Sequence, residues 1–132
     1  MNVKDTSVLQ CVQGIVQTRR KKQTGTIINV ASIAGQQPVP GWGAYSVSNA
    51  AVIALSKTLS AEERQNGIRV VSICPGAVNT PLWDTDTVQV NFDRSAMLTP
   101  ELVAESILHA VLMPEQAVVE SITLMSSAGA LD

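Results

Sequence analysis

The chain has 132 residues, of which 45% are apolar and 15% charged, and a net charge of −2. That apolar share excludes a disordered chain, and the length suits a single domain that buries roughly two thirds of its unfolded surface. The near-neutral charge excludes a general pull toward nucleic acid or anionic membrane.

Residues 3–20 read as a helix, with Val8, Leu9, Val12, Ile15 and Val16 on one apolar stripe. The run Arg19-Arg20-Lys21-Lys22 reads as a solvated helix end, where cations complement the C-terminal dipole; a nucleic-acid patch is the alternative. Gly25 breaks the chain. Thr26–Val30 is then a short β-branched strand, and such a continuous apolar run is expected of a strand buried on both faces. Gly35–Gly41 is a loop punctuated by Gly and Pro. Residues 44–65 form a long helix rich in Ala, Ser and Leu, which Gly67 ends at a left-handed cap. Ile68–Cys74 is the second strand, stopped by Pro75-Gly76, and residues 83–98 are irregular. Thr99-Pro100-Glu101 opens a third helix with an N-cap hydroxyl, a proline and a first-turn acid. It runs to about Met113, before Pro114. Ala117–Met125 is the third strand, and Ser126–Asp132 is a small, polar tail.

The order is αβαβαβ. Strands joined by crossover helices run parallel, so the expected architecture is α/β: three parallel strands with helices packed on the sheet faces, part of a Rossmann fold.

Cys11 and Cys74 fit no metal-ligand spacing, and no metal site is expected. Both read as buried small hydrophobes, which suggests a reducing compartment. No apolar run approaches the roughly 20 residues of a membrane span, and Met1–Asp5 holds no signal-peptide core. A cytoplasmic location is therefore expected. His109, beside Ile107, Leu108 and Val111, reads as structural.

The residues that carry chemistry lie in the middle of the chain. Ser32 stands in Ala31-Ser32-Ile33-Ala34-Gly35, just past a strand, where parallel sheets place ligands. Thirteen positions on comes Tyr45-Ser46-Val47-Ser48-Asn49. Helical periodicity puts Tyr45 and Asn49 one turn apart on the same face. Pro75-Gly76-Ala77-Val78-Asn79-Thr80 follows the second strand; its proline ends the ladder and its glycine allows close backbone approach.

Taken together, Ser32, Tyr45 and the Pro75–Thr80 segment resemble the short-chain dehydrogenase/reductase family. The resemblance covers almost the whole chain but only about the last half of a family member. It implies an NAD- or NADP-dependent oxidoreductase that exchanges hydride with a small-molecule carbonyl or secondary alcohol. In the family the serine hydrogen-bonds the substrate oxygen, and the tyrosine gives or takes the proton. The Pro-Gly segment contacts the nicotinamide carboxamide through backbone near Val78 and the hydroxyl of Thr80. Asn2 resembles the family's fourth catalytic residue, which supports a proton-relay water; it also reads as a helix N-cap. Trp83 falls where the family often carries a mobile substrate lid, and reads as lid or core. The lid stretch Leu82–Leu98 would decide the substrate.

The chain departs from the pattern at Asn49, where the family has lysine. That lysine lowers the tyrosine pKa by its charge and hydrogen-bonds the nicotinamide ribose. A free tyrosine ionises near pH 10, so lowering it by ~3 units yields ~10³ more phenolate at neutral pH. Asparagine can bond a ribose hydroxyl but brings no charge. Lys57 lies about 12 Å further along the helix and cannot replace it. The family's glycine-rich phosphate turn is also missing from the sequence, as is the residue that chooses between NAD and NADP. These departures make the chain read as a truncated frame or fragment, inactive or weak alone. The competing expectation is an assembly protein or pseudoenzyme that pairs through helices 3–20 and 44–65, the faces the family uses for its oligomers. The unpaired edge of Thr26–Val30 would add to that tendency.

Overall fold

The computed structural model describes residues 3–37, 39–85 and 93–129, with side chains from residue 6 onward. The element order is α1 (Val3–Lys22), β1 (Gly25–Val30), α2 (Gly43–Glu63), β2 (Ile68–Pro75), α3 (Pro100–Val111) and β3 (Ser121–Leu124). The three strands form one parallel sheet in the order β1-β2-β3. Gly25 pairs with Ile68 and Val30 with Ile73; Ser72 pairs with Ser121 and Pro75 with Leu124. The α/β architecture expected from the sequence is the one observed.

β2 is the central strand, and its period-two alternation divides the core. Ile68 and Val70 pack with Val12 and Val16 of α1 and Leu59 of α2. Cys74 continues that side against Val52 and Ala31. Val71 and Ile73 face the other way, against Ala110 of α3, with Ile28 and Ile122 of the flanking strands beside them. Helices thus cover both faces of β2, and all but Arg69 of its residues are buried. A strand covered on both sides is mostly apolar, and Ile68–Cys74 supplies Ile68, Val70, Val71, Ile73 and Cys74 around Arg69 and Ser72.

Polar links fix the helices to the sheet. Asn29 of β1 donates to Ser56 Oγ at 2.9 Å, and Ser56 donates onward to the Val52 carbonyl at 2.9 Å. Arg20, in the last turn of α1, pairs with Glu63 at the end of α2; Glu63 is fully buried and also accepts from Asn66 at 3.0 Å. Gly67, with φ of 71°, turns the chain from α2 into β2, and a Cβ there would collide with the Gln23 carbonyl oxygen. Arg69 donates to the carbonyls of Val111, Met113, Pro114 and Ala117, at 2.8 to 3.2 Å. It thereby closes the C-terminus of α3, where orphan carbonyls and the dipole favour a cation.

Four expectations need correction. β1 is not buried on both faces: only Asn29 is buried, and Val30 is 47% exposed, as suits the edge position expected of it. β3 begins at Ser121 rather than Ala117, because Arg69 takes the Ala117 carbonyl and the ladder starts at Ser72–Ser121. Cys11 is exposed, since Val8, Val12 and Val16 define the inward face of α1 and Cys11 lies about 100° from Val12. His109 is also exposed, in the last turn of α3; Ala110 is the residue there that turns inward. Asn2 lies outside the described residues, as do residues 86–92 of the expected lid stretch.

Candidate functional site

The site is assembled from three segments that leave the carboxyl ends of β1 and β2. The first begins at Ser32, which caps a tight 3-10 turn, Ile33–Gly35; its Oγ accepts from the Ala34 amide at 3.2 Å. That turn lies directly on α2. A Cβ on Gly35 would stand 2.8 Å from the Asn49 carbonyl carbon and 2.9 Å from the Ala50 nitrogen. Only glycine permits this approach.

The second segment is the first turn of α2. Tyr45 is 42% exposed there, and its ring meets Trp42 edge-on, with centroids 5.7 Å apart and planes at 88°. Trp42 in turn lies 6.3 Å from Trp83 at a tilt of 37°. Asn49 does not share the exposure of Tyr45. It is fully buried, and its side-chain amide donates to the Tyr45 carbonyl at 2.8 Å.

The third segment is Pro75–Asp84. Gly76 donates to the Leu124 carbonyl at 2.8 Å. Leu98 donates to Ala77, and Asn79 to Leu98, a short parallel bridge that pins the backbone around Val78. Trp83 Nε1 donates to the Val78 carbonyl at 2.7 Å, which fixes the indole. Arg94 ties the segment together: it donates to Asn79 Oδ1 at 2.8 Å and the Thr80 carbonyl at 3.1 Å, and pairs with Asp84. The turn that carries Arg94 is capped by Asp93, whose carboxyl sits below the usual range because Ser95 donates to it through hydroxyl and amide.

The three segments enclose a cleft of about 500 Å³, within the range of small-molecule sites. Ser32, Tyr45, Pro75, Gly76, Val78 and Thr80 all line it; Asn49 does not. Its remaining wall includes Val39, Trp42, Leu82 and Trp83. Among the described residues no charged side chain lines the cleft. Nor do any three His, Cys, Asp or Glu residues gather as metal ligands would among them. Sequence reasoning missed Trp42 and Arg94. The available signal for Trp42 was its spacing of three from Tyr45, which places two aromatic rings side by side at a helix start. Arg94 carries no local signal, because its partners converge only in the fold.

A sequence profile described as short chain dehydrogenase matches residues 1–91. The chain belongs to the short-chain dehydrogenase family. An uncharacterised oxidoreductase of Staphylococcus saprophyticus is 34% identical over 125 residues, which are 94% of this chain and 50% of that protein. One from Staphylococcus epidermidis is 30% identical over 124 residues, with 94% and 51% covered. The chain thus spans about half the length of the curated relatives it matches. Among solved structures, serine dehydrogenase from Escherichia coli superposes with a TM-score of 0.77 at 22% identity, covering 92% of this chain and 49% of that one. A short-chain dehydrogenase from Sphingobium yanoikuyae in complex with NADPH gives 0.75 at 20% identity, covering 95% and 46%. At those identities the structural likeness speaks for the fold that short-chain dehydrogenases share.

Proposed function

We propose that the cleft is the substrate and nicotinamide end of an NAD- or NADP-dependent oxidoreductase site, acting on a carbonyl or secondary alcohol. The observation that carries this reading is the convergence of the Ser32, Tyr45 and Thr80 residues on one cleft at the strand carboxyl ends. Ser32 holds the substrate oxygen through its hydroxyl. Tyr45 gives a proton to that oxygen in reduction and takes it back in oxidation. The residues present fit a nicotinamide ring: the backbone near Val78, the Thr80 hydroxyl, and apolar walls beside them. Bound there, the dinucleotide supplies the two-electron reduction of the carbonyl or oxidation of the alcohol. Asn49, buried beneath Tyr45, adds no charge to the site.

The same residues set a low activity for the 132-residue chain alone. Its eight glycines include no phosphate-binding turn of the family pattern. The contacts available to a nucleotide are neutral hydrogen bonds, worth roughly 0.5–1.5 kcal/mol each. Association itself costs at least ~4 kcal/mol. Binding weaker than about 1 mM follows, near −4 kcal/mol. A second reading, assembly through α1 and α2 into a homo-oligomer or with a longer relative, draws on the exposed apolar side chains Ile15 and Val47. Light scattering tests it: assembly predicts a mass above that of one chain, and a monomer contradicts it. The free thiols Cys11 and Cys74 agree with a reducing, cytoplasmic setting. No described helix is long and apolar enough to cross a membrane.

The experiment for the main reading is NADH and NADPH oxidation by the purified chain with a panel of ketones. The expected rate is just above background and vanishes in Tyr45→Phe. Robust turnover that persists in Tyr45→Phe would overturn the assignment of Tyr45.

A further inference from the structure

The substrate side of the cleft has a chemistry that the family resemblance leaves open. Resting on the oxidoreductase reading above, we propose that Trp42 and Trp83 select a neutral substrate with a flat apolar group, aryl or alicyclic, beside the reacting carbonyl or alcohol. Three observations carry this. First, Trp42, Trp83, Val39 and Leu82 form the wall around Tyr45, and no described charged residue lines the cleft. A carboxylate, phosphate or ammonium on the substrate would lose hydration there with neutral hydroxyls but no described counter-charge to replace it. Second, both indoles are fixed in place. Trp83 is tied to the Val78 carbonyl at 2.7 Å, and Trp42 is braced edge-on against Tyr45 and tilted against Trp83. A wall held in this way costs little ordering when a flat group packs against it. Third, Arg94, which ties the third segment together, is engaged by Asn79, Thr80 and Asp84. It is already committed within the protein and does not offer its guanidinium to an anionic substrate.

Trp42 and Trp83 are the only tryptophans in the chain. Their two indole N–H resonances therefore report on the cleft directly. The test is an NMR titration of the isotope-labelled chain with 1-indanone, cyclohexanone and pyruvate, alongside the Trp42→Ala and Tyr45→Phe variants. The expected result is that 1-indanone and cyclohexanone shift both indole signals and pyruvate shifts neither. Trp42→Ala should weaken 1-indanone binding about tenfold while the spectrum stays dispersed. Tyr45→Phe should abolish the residual ketone turnover. Pyruvate binding as tightly as 1-indanone, or no ketone shifting either indole, would overturn the proposal. Turnover of a charged keto acid would defeat this inference yet leave the oxidoreductase reading intact. Indanone binding without any Tyr45-dependent turnover would do the reverse.

Discussion

The side-chain amide of Asn49 donates to the main-chain carbonyl of Tyr45, one turn earlier on α2, at 2.8 Å, and Asn49 has no exposed surface. The position at which the family carries its cation is here an internal link of the helix. Asn49→Ala should cost about 1 kcal/mol through loss of that bond, read as a modest fall in the thermal midpoint. Asn49→Lys restores the family residue but supplies nothing for the pyrophosphate. It should leave NAD(P)H turnover by the isolated chain at background. A large gain in rate from this one change would show that charge alone limits the site.

Gly35 holds the Ser32 turn against α2. Gly35→Ala places a Cβ under 3 Å from the backbone of Asn49 and Ala50, which cannot yield as a side chain end would. Overpacking of this kind costs roughly 1–3 kcal/mol and pushes Ser32 away from Tyr45. A lower melting temperature together with loss of the residual rate is expected. An unchanged melt would show that the turn has room to shift.

How much of this could be read beforehand follows from which forces are local. The strands around Ile27 and Val70 and the α1 stripe at Val12 and Val16 were legible because burial imposes a period on the sequence. That Ser32, Tyr45 and Pro75–Thr80 would lie together on one cleft was legible from the family resemblance and their places after strands. The exposure of Cys11 and His109 was not, because each lies beside an apolar stripe and only the docking angle of its helix decides. The short β3 and the threefold hold of Arg94 depend on partners ten or more residues away. The burial of Asn49 depends on how closely the Gly35 turn packs, which no periodicity reports.

Arg69 joins β2 to the end of α3 through four carbonyls. Arg69→Ala removes its hydrogen bonds to those carbonyls and should cost about 2–3 kcal/mol, taking hydrogen bonds to a charged group at their usual worth. Arg69→Lys keeps the cation but loses the planar fork, so it should recover only part of the loss. Chemical denaturation of the three proteins gives the order directly.

Arg20 and Glu63 tie α1 to α2. The Glu63 carboxyl is held below its ordinary value of 4.5, mainly by the hydrogen bonds from Arg20. A carboxyl depressed in the folded state favours folding above its unfolded pKa and loses that contribution as pH falls through the lower folded value. The thermal midpoint should therefore be level above about pH 5 and decline below about pH 4.5. Glu63→Gln should lower the midpoint at neutral pH and flatten the decline. A wild-type midpoint that rises on acidification would contradict this assignment.

The central claim is that the cleft around Ser32, Tyr45 and Thr80 receives the nicotinamide end of a dinucleotide. It is tested most directly by titrating the isotope-labelled chain with NAD⁺ and NADP⁺ while following backbone amide resonances. The account predicts shifts confined to Ser32, Tyr45, Gly76, Val78 and Thr80 and their neighbours, with no saturation below about 1 mM. Shifts that avoid these residues would contradict it, and saturation at micromolar nucleotide would contradict the weak binding expected of the chain alone.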